Sequence, residues 1–329
     1  MKVLFQYQGL MTDQYKAYFR SNIPKDVEIV FPESGDKEFL LKQAKDTDLF
    51  VGFSLTEEFM SKATKLRHIQ IPWTGFNNLR VEFLKGRENI TVSNSHSNSL
   101  AIAEHAVSLL LSAAKLITHR DADMRKDSWE TRYNQTNSFW LTGKKLGIIG
   151  YGSIGKKAAA MLKPGFNMSV LAIKRNPTEK DELCDFIGGM NELDHVLKES
   201  DYLIIAVPLT EETTNLIDRE QFSLMKQNAV ISNIARGPVI NEEALYNALK
   251  SNRIGAAGID VWYNYPNGNN HVISQNYPFH ELTNIVMTPH SAFKIRDREE
   301  IFAEDILTNI LNIYHNKSPI NQVHLELGY

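Results

Sequence analysis

The sequence LGIIGYGSIGKK, residues 146–157, joins a short apolar run to a stretch of good helix formers. Its first four residues have the pattern of a buried strand, and the residues after the last glycine favour a helix. We interpret Gly150 as permitting a tight turn, Gly152 as letting the backbone approach a pyrophosphate, and Gly155 as letting helix and strand pack closely. An ordinary strand–helix turn is the alternative. The position between strand and helix favours a dinucleotide site, with the phosphates at the N-terminus of the helix.

The rest of the chain alternates short apolar runs with helical segments, and the apolar runs form two series. The first series of predicted strands is Lys2–Tyr7, Val27–Phe31, Leu49–Phe53, His68–Ile71 and Ile90–Ser93. The second series is Leu146–Ile149, Ser169–Ile173, Tyr202–Val207, Ala229–Asn233, Ala256–Val261 and Asn284–Met287. Strands that alternate with helices form parallel sheets covered on both faces. The sequence therefore predicts an α/β protein with two doubly wound parallel-sheet domains.

Two helical segments decide how these domains are connected. Residues 99–126 include the apolar run AIAEHAVSLLLSAAKLI, which predicts a buried helix between the two series. The tail from Arg296 is also helical, and it either stays with the second series or returns to the first. The pattern of residues is compatible with both. A return would give a substrate domain of residues 1–98 and 294–329 and an inserted dinucleotide-binding domain of residues 99–293.

The composition argues against several classes of partner. The chain has 329 residues, a formal net charge of −3 and a single cysteine, Cys184. This charge gives no reason to expect nucleic acid or an anionic membrane as partner, and no segment approaches the roughly 20 apolar residues that span a bilayer. One cysteine excludes an intrachain disulfide and a cysteine-based zinc site. We predict a cytoplasmic protein without a bound metal, because a single cysteine fits a reducing compartment and the N-terminus lacks a secretory signal pattern.

Lys174 and Arg175 stand where a dinucleotide-binding domain selects its cofactor. Arg175 lies 20 residues after Gly155, at the end of the next predicted strand. Sites for NAD usually place Asp or Glu there to bind the ribose 2′-hydroxyl. A cation instead suits a 2′-phosphate, which arginine can hold with two parallel hydrogen bonds. We therefore predict a preference for NADP(H) over NAD(H); a solvated basic turn is the alternative interpretation.

Three residues that suit hydride-transfer chemistry stand at the ends of predicted strands or in the loops after them. Arg236 lies between a strand and a helix, Asp260 follows GAAGI, and His290 follows the last strand within NIVMTPHSAF. In open α/β sheets the ligand lies outside the carboxyl ends of the strands. Reduction of a 2-oxo acid needs a proton donor for the developing alkoxide, which His290 can supply, and a cation for the carboxylate and carbonyl, which Arg236 can supply. Asp260 would then position the cofactor or influence the histidine.

Several motifs, taken in order, resemble the D-isomer-specific 2-hydroxyacid dehydrogenase family. They are NSHSNSLAIAEHA (94–106), GKKLGIIGYGSIGKK (143–157), VPLTEETTNLIDREQFSLMKQNAVISNIARGPVINEEAL (207–245), GAAGIDVW (255–262) and MTPHSAF (287–293). The resemblance implies a Rossmann nucleotide-binding domain inserted in a flavodoxin-like substrate domain. It also implies an NAD(P)-dependent oxidoreductase that acts on a small 2-oxo or D-2-hydroxy acid.

The resemblance further implies roles for individual residues. Arg236 matches the arginine that binds the substrate, His290 the proton donor, and Asp260 the aspartate beside the nicotinamide. The further residues implied for the cofactor, beside the three glycines, Lys174 and Arg175, are Ser153, Ile154, Val207, Pro208 and Ala235. The further residues implied for the substrate are Thr74, Gly75 and Asn98. The helix after Glu104 resembles the family's dimer-forming segment, which implies a homodimer through the nucleotide-binding domain.

One position departs from the family pattern. The family usually has a glutamate five residues after the aspartate, paired with the catalytic histidine, and this chain has Tyr265 there. Without that carboxylate we expect a lower pKa for His290 than in other members, and reductase activity displaced to lower pH. Either Tyr265 or Asn264 orients His290 by a hydrogen bond, or the site has changed toward unusual substrates or lost activity.

Together these observations favour an NADP(H)-preferring reductase of a small 2-oxo acid such as glyoxylate or hydroxypyruvate. Two other interpretations stay open. One is a protein that binds the dinucleotide as a sensor without turnover, and the other is a dehydrogenase with an unusual donor such as phosphoglycerate, phosphite or formate. Substrate specificity is expected in the loops around Gln8, Phe53 and Trp73.

Overall fold

The computed structural model describes residues 1–6, 11–32, 37–75, 79–135, 137–177, 180–266, 275–296 and 298–325. The chain divides into two compact units, each with its own sheet. Unit 1 comprises Met1–Asn98 and Ile295–Tyr329, and unit 2 comprises Ser99–Lys294.

Unit 1 is built on a five-stranded sheet. Its strands are β1 (Lys2–Phe5), β2 (Glu28–Val30), β3 (Leu49–Val51), β4 (His68–Gln70) and β5 (Thr91–Ser93), and its first helices are α1 (Asp13–Asn22), α2 (Lys37–Gln43) and α3 (Glu57–Lys62). The strands pair in parallel in the order β2-β1-β3-β4-β5. This is the flavodoxin-like order, so the predicted class of this domain is confirmed. Tyr7, the predicted end of the first strand, and Gln8, in a predicted specificity loop, lie outside the described residues.

Unit 2 is built on a seven-stranded sheet. Its strands are β6 (Lys145–Ile149), β7 (Ser169–Ile173), β8 (Phe186–Gly188), β9 (Tyr202–Ile205), β10 (Val230–Asn233), β11 (Ala256–Ile259) and β12 (Ile285–Met287). Its helices are α4 (Ser99–Lys115), α5 (Ile117–Met124), α6 (Glu130–Tyr133), α7 (Ser153–Phe166), α8 (Leu193–Glu199), α9 (Arg219–Leu224) and α10 (Glu242–Lys250). The parallel order is β12-β11-β10-β9-β6-β7-β8. The chain winds outward from β6 in both directions, through β7 and β8 on one side and through β9 to β12 on the other. This is the doubly wound Rossmann order, with its change of direction between β6 and β9. The prediction of a Rossmann domain is confirmed.

The strand β8 is one that the sequence did not indicate. It has three residues, of which only Gly188 is buried, and it pairs with β7 at the edge of the sheet. Three residues are too few for an alternating pattern to be recognised. The strand therefore depends on its pairing with β7 rather than on a hydrophobic pattern of its own.

The predicted buried helix between the two series is two helices. Leu116 has a left-handed backbone with φ +54°, and it separates α4 from α5. The alanines Ala103 and Ala106 of α4 are fully buried and belong to the same core as Ile148 and Ile204 of the sheet. Within the described residues no single helix is long and apolar enough to cross a membrane; α4 and α5 reach that length only together, across a 63° bend.

The tail of the chain forms the helix α11 (Arg298–Tyr314), which belongs to unit 1. Its buried face, which includes Ala303, Ile306 and Ile310, shares a core with Phe19 of α1. Burying each aliphatic side chain of that size is worth about 1.5–3 kcal/mol. The fully buried Asn309 is satisfied by Gln70 on β4 at 2.6 Å and by the backbone of Ile320.

Candidate active site

The glycine turn after β6 uses each of its three glycines differently. Gly150 has φ +99°, and a Cβ there would lie 2.5 Å from the carbonyl oxygen of Ala206. A Cβ on Gly155 would lie 2.6 Å from the carbonyl oxygen of Gly150, so this glycine lets α7 pack against the turn. A Cβ on Gly152 would meet no atom within 4 Å. The first two glycines serve the fold, whereas Gly152 borders open space that a ligand can fill.

The N-terminus of α7 opens onto this space. The helix begins at Ser153, and Gly152 at the N-cap provides no side-chain acceptor. The first N–H groups of a helix have no helical acceptor, and they carry the positive end of the helix dipole. The Ser153 hydroxyl donates to Ser99 Oγ at 2.8 Å, which leaves the backbone N–H groups of Ser153 and Ile154 to a ligand. The turn therefore fits the pyrophosphate of a dinucleotide.

Two further loops lie at the carboxyl ends of strands near β6. They follow β9, which pairs with β6, and β10, which pairs with β9. Val207 and Pro208 follow β9, the neighbour of β6, and Thr213 donates to the Pro208 carbonyl at 2.6 Å. Ala235 follows β10, and its N–H donates to the buried Asn233 side chain at 3.0 Å. The reversal of strand order between β6 and β9 is where such folds bind ligands. The structure thus brings these predicted cofactor residues to one edge of the sheet.

Lys174 and Arg175 follow β7 on the other side of the glycine turn. Lys174 is half-buried and Arg175 is exposed. The guanidinium Nη2 of Arg175 lies 3.5 Å from Oε2 of Glu212, a side chain that is largely exposed. A solvent-exposed ion pair of this length contributes little to stability. Arg175 can exchange this carboxylate for a phosphate at small cost.

Arg236 is held in the turn that follows β10. Its carbonyl accepts from the Asn233 side chain at 3.2 Å, and its Nη1 donates to the Ala235 carbonyl at 2.7 Å. Burial lowers the pKa of Arg236, and Tyr265 acts in the opposite direction. A partly buried guanidinium with remaining N–H groups is suited to a carboxylate ligand.

His290 has a strained backbone and packs between two aromatic rings. Its φ of +51° lies in the left-handed region, which costs a non-glycine residue about 1–3 kcal/mol. The imidazole centroid is 5.5 Å from that of Tyr265 and 6.3 Å from that of Phe293. Burial lowers the pKa of His290, the charge of Arg236 lowers it further, and Asp260 partly opposes both. Both predicted catalytic residues follow strands of the same parallel sheet, Arg236 after β10 and His290 after β12.

Asp260 holds the segment of residues 288–292 in this strained conformation. The carboxylate is 1% exposed. It accepts from the Thr288 hydroxyl at 2.6 Å and from the N–H groups of Ser291 at 2.9 Å and Ala292 at 3.2 Å. Its backbone carbonyl accepts the N–H of His290 at 2.8 Å. Burial raises the pKa of Asp260, yet the hydrogen bonds from His105 and Thr288 outweigh it and leave the pKa below its ordinary value.

His105 is a residue of this site that the sequence reasoning missed. It lies on α4, and its Nε2 is 3.1 Å from Thr288 Oγ1 and 3.4 Å from Asp260 Oδ1. Because the Thr288 hydroxyl donates to Asp260, it accepts from His105. The signal in the sequence is the position of His105, a polar residue, inside the largely apolar run AIAEHAVSLLL. Its partners Thr288 and Asp260 come close to it only in the folded chain.

Tyr265 lies beside His290 with its ring. Its hydroxyl accepts the N–H of Trp262 at 3.2 Å, and its ring centroid is 5.5 Å from that of the imidazole. Within the described residues neither Tyr265 nor Asn264 forms a hydrogen bond with the imidazole. A hydroxyl that accepts one hydrogen bond keeps its own hydrogen to donate, so a hydrogen bond that orients His290 stays a prediction.

The predicted substrate residues of unit 1 lie close together. Thr74 Oγ1 donates to the Ser95 carbonyl at 3.0 Å and lies 3.4 Å from Asn98 Oδ1. Gly75 follows in the same loop and is half-buried. Phe53 and Trp73, at the ends of β3 and β4, form a ring pair with centroids 4.8 Å apart. Within the described residues no group of three or more His, Cys, Asp or Glu side chains could hold a metal ion.

Comparison with known proteins identifies the family. Residues 107–292 match the family described as D-isomer specific 2-hydroxyacid dehydrogenase, NAD binding domain. A glyoxylate reductase of Pyrococcus furiosus is 34% identical over 300 residues, 88% of this chain and 86% of that protein. A D-3-phosphoglycerate dehydrogenase of Methanocaldococcus jannaschii is 31% identical over 294 residues, 88% of this chain but 54% of that protein. The crystal structure of an acyclic imino acid reductase in complex with NADPH and D-Arg has a TM-score of 0.79 and 26% identity, and it covers 98% of this chain and 100% of that chain.

The chain therefore belongs to the D-isomer specific 2-hydroxyacid dehydrogenase family. It is an enzyme that transfers hydride between a nicotinamide dinucleotide and a 2-oxo or 2-hydroxy acid. The predictions of family, fold class and enzyme class are confirmed.

Proposed function

We propose that this enzyme is an NADP(H)-preferring reductase that converts a small 2-oxo acid, such as glyoxylate or hydroxypyruvate, to the D-2-hydroxy acid. The observation that carries the proposal is the position of Arg236 after β10 and of His290 after β12, at the edge of the sheet that also bears the glycine turn after β6. Unit 2 would be the dinucleotide-binding domain and unit 1 the substrate domain.

The residues present fit a nicotinamide dinucleotide. Gly152 leaves the space, and the amides of Ser153 and Ile154 at the start of α7 would face the pyrophosphate. Val207, Pro208 and Ala235 would line the path to the nicotinamide. When bound, the cofactor supplies the hydride, and the protein supplies position and a proton.

Arg236 and His290 would divide the remaining work. The Arg236 guanidinium would bind the substrate carboxylate and polarise the carbonyl, while His290 gives its proton to the carbonyl oxygen as it gains negative charge. Within unit 1, Thr74, Gly75 and Asn98 are the residues proposed to bind the substrate. Asp260 would act chiefly by holding His290 in its left-handed conformation.

The preference for NADP(H) rests on Lys174 and Arg175. The Arg175–Glu212 pair is long and exposed, so a 2′-phosphate can replace the carboxylate. The imino acid reductase with the same fold was solved with NADPH.

A homodimer through unit 2 is supported by large apolar side chains that are exposed on its first part. They are Leu100, Ile117, Met124, Trp129, Tyr133 and Trp140. A contiguous stretch of chain with this many exposed apolar groups is typical of an interface. The molar mass measured by light scattering tests this directly: twice the chain mass supports the dimer, and the chain mass alone contradicts it. A cytoplasmic location remains a prediction from the single cysteine.

Initial rates of NADPH and NADH oxidation against a panel of 2-oxo acids test the proposed function. We expect turnover of glyoxylate or hydroxypyruvate, with kcat/KM for NADPH well above that for NADH. Preference for NADH would overturn the role of Arg175 and leave the chemistry standing. Dinucleotide binding without turnover of any 2-oxo acid would favour a sensor instead.

A second candidate function is reduction of a 2-imino acid. The observation that favours it is the neutral Tyr265 beside a histidine whose pKa is lowered. A protonated imine gains no negative charge on an oxygen during hydride transfer, so it has less need of a proton donor. The same rate measurement with a 2-oxo acid plus an amine distinguishes the two, because an imine reductase would turn over only when the amine is present.

A further inference from the structure

The carboxylate of Asp305, on α11, holds the segment that leads from β5 to Asn98. Its Oδ2 atom accepts the N–H of His96 at 2.5 Å, the N–H of Ser97 at 2.9 Å and the Ser95 hydroxyl at 3.2 Å. The side chain of Asn321 donates to the same oxygen at 3.1 Å. Hydrogen bonds to an ionised carboxylate are about twice as strong as neutral ones. This segment is therefore held by a charge rather than by a sheet.

The same segment supports the loop that bears Thr74. The N–H of Ser95 donates to the Trp73 carbonyl at 3.2 Å, and its carbonyl accepts the Thr74 hydroxyl at 3.0 Å. The Asn94 side chain donates to the Thr74 carbonyl at 2.7 Å. The contacts of Asp305 thus reach Thr74 through one intervening residue, Ser95.

We propose that Asp305 is a positioning residue for the substrate-binding loop. It acts through residues 95–97, holding Thr74 and Asn98 where they can bind the carboxylate of a 2-oxo acid. The inference rests on the proposed function, which assigns those residues to the substrate. Positioned donors bind an anion more tightly than mobile ones because less conformational entropy is lost on binding.

The rest of α11 does not depend on Asp305. Its apolar face is buried against Phe19 and its neighbours, and Asn309 ties it to Gln70 at 2.6 Å. Removal of the carboxylate should therefore leave the helix in place and release residues 95–97 together with the side chain of Asn321. The expected defect is in substrate binding, with dinucleotide binding by unit 2 unchanged.

The test compares Asp305→Ala and Asp305→Asn with the native enzyme, using steady-state rates with glyoxylate and NADPH. We expect Asp305→Ala to raise KM for glyoxylate about tenfold, since charge-assisted bonds to two backbone N–H groups are lost. We expect a smaller rise in Asp305→Asn, whose amide oxygen still accepts, and an unchanged KM for NADPH in both. Tyr314→Phe, which removes a bond to Asp26 at the far end of α11, is the matched control and should behave like the native enzyme.

The outcomes separate this inference from the proposed function. An active native enzyme whose KM for glyoxylate is unchanged in Asp305→Ala overturns the inference and leaves the function standing. An equal rise in both KM values also overturns it, because a general loss of structure is then the cause. If Asp305→Ala does not fold, Asp305→Asn is the test: a raised KM for glyoxylate supports the inference, and an unchanged KM overturns it. A native enzyme that reduces no 2-oxo acid overturns both proposals.

Discussion

The glycine turn and the segment that carries His290 lie at the same edge of one sheet, yet they are built by opposite means. The turn is formed by the backbone, with Gly150 at φ +99° and open space beside Gly152. The histidine segment is formed by a buried side chain, because Asp260 binds three groups of residues 288–292. The glycine turn can be recognised in a dozen consecutive residues. The histidine segment cannot, because it forms only when Asp260 meets residues 288–292, which are about thirty positions away in the sequence.

This difference predicts how each region responds to substitution. At Gly152 of the turn, a methyl group can be added without touching the protein, so ligand binding should change while stability does not. In the histidine segment, the same side chain that supports catalysis also satisfies buried N–H groups. Stability and activity should therefore change together there.

Asp260→Asn should have the largest effect and is the strongest test of this comparison. The amide offers one acceptor where the carboxylate has two, so a buried N–H of Ser291 or Ala292 is left unpaired. We expect a loss of about 3 kcal/mol in the free energy of unfolding and a fall in kcat of about a hundredfold. Denaturant unfolding and steady-state rates measure both. A stable variant with normal kcat would show that the segment keeps its conformation without the charge.

Gly152→Ala should weaken dinucleotide binding while leaving stability unchanged. The added methyl group meets no protein atom within 4 Å but occupies the space assigned to the pyrophosphate. We expect Kd for NADPH to rise about tenfold, which corresponds to about 1.4 kcal/mol. Fluorescence titration and thermal unfolding are the measurements. Gly165→Ala, in the same helix and also facing open space, is the control, and equal effects of the two substitutions would contradict the proposed site.

His105→Ala should have a smaller effect, confined to the chemical step. The substitution removes the contacts of the His105 imidazole with Thr288 and Asp260. It leaves the three hydrogen bonds that Asp260 accepts from residues 288–292. We expect kcat to fall about fivefold, equivalent to about 1 kcal/mol, with little change in either KM. Ser108→Ala, on the exposed side of α4, should leave the rates unchanged. An unchanged kcat in His105→Ala would make this residue a packing group only.

Tyr265→Glu should change the pH dependence more than the maximal rate. The reductase needs protonated His290, so activity is lost as pH rises through the pKa of that group, which burial and Arg236 hold below its ordinary value. A carboxylate beside the imidazole raises this pKa, and the loss should move to higher pH by about one unit. Tyr265→Phe keeps the ring contact without a carboxylate and should retain the native profile. Coincident profiles for all three proteins would mean that residue 265 does not influence the charge of His290.

Much of the fold could be predicted because its signals are local. The runs that became β6 and β7 are apolar over residues 146–149 and 170–173, and the glycines mark the turn between β6 and the helix α7. Strand β8 could not be predicted, since its three residues are held by β7 rather than by a pattern of their own. The break at Leu116 was missed for a similar reason, because nothing in an alanine- and leucine-rich run marks a left-handed residue.

The candidate site divides in the same way. Arg236, Asp260 and His290 could be proposed because each stands at the end of a predicted strand or in the loop after it and has a side chain suited to the chemistry. The residues that support the site, His105 and Asp305, could not be predicted. Their roles depend on hydrogen bonds to residues more than a hundred positions away in the chain.

The sequence by itself determined the two parallel sheets, the glycine turn, the family and the cationic residues at the end of β7. These depend on short-range periodicity and on backbone freedom, which neighbouring residues reveal. Only the tertiary structure decided that the Tyr265 hydroxyl accepts the N–H of Trp262, and that Asp260 holds the strained segment that carries His290. Hydrogen bonds between distant segments exist only after folding has brought donor and acceptor within about 3 Å of each other, and no local pattern records them.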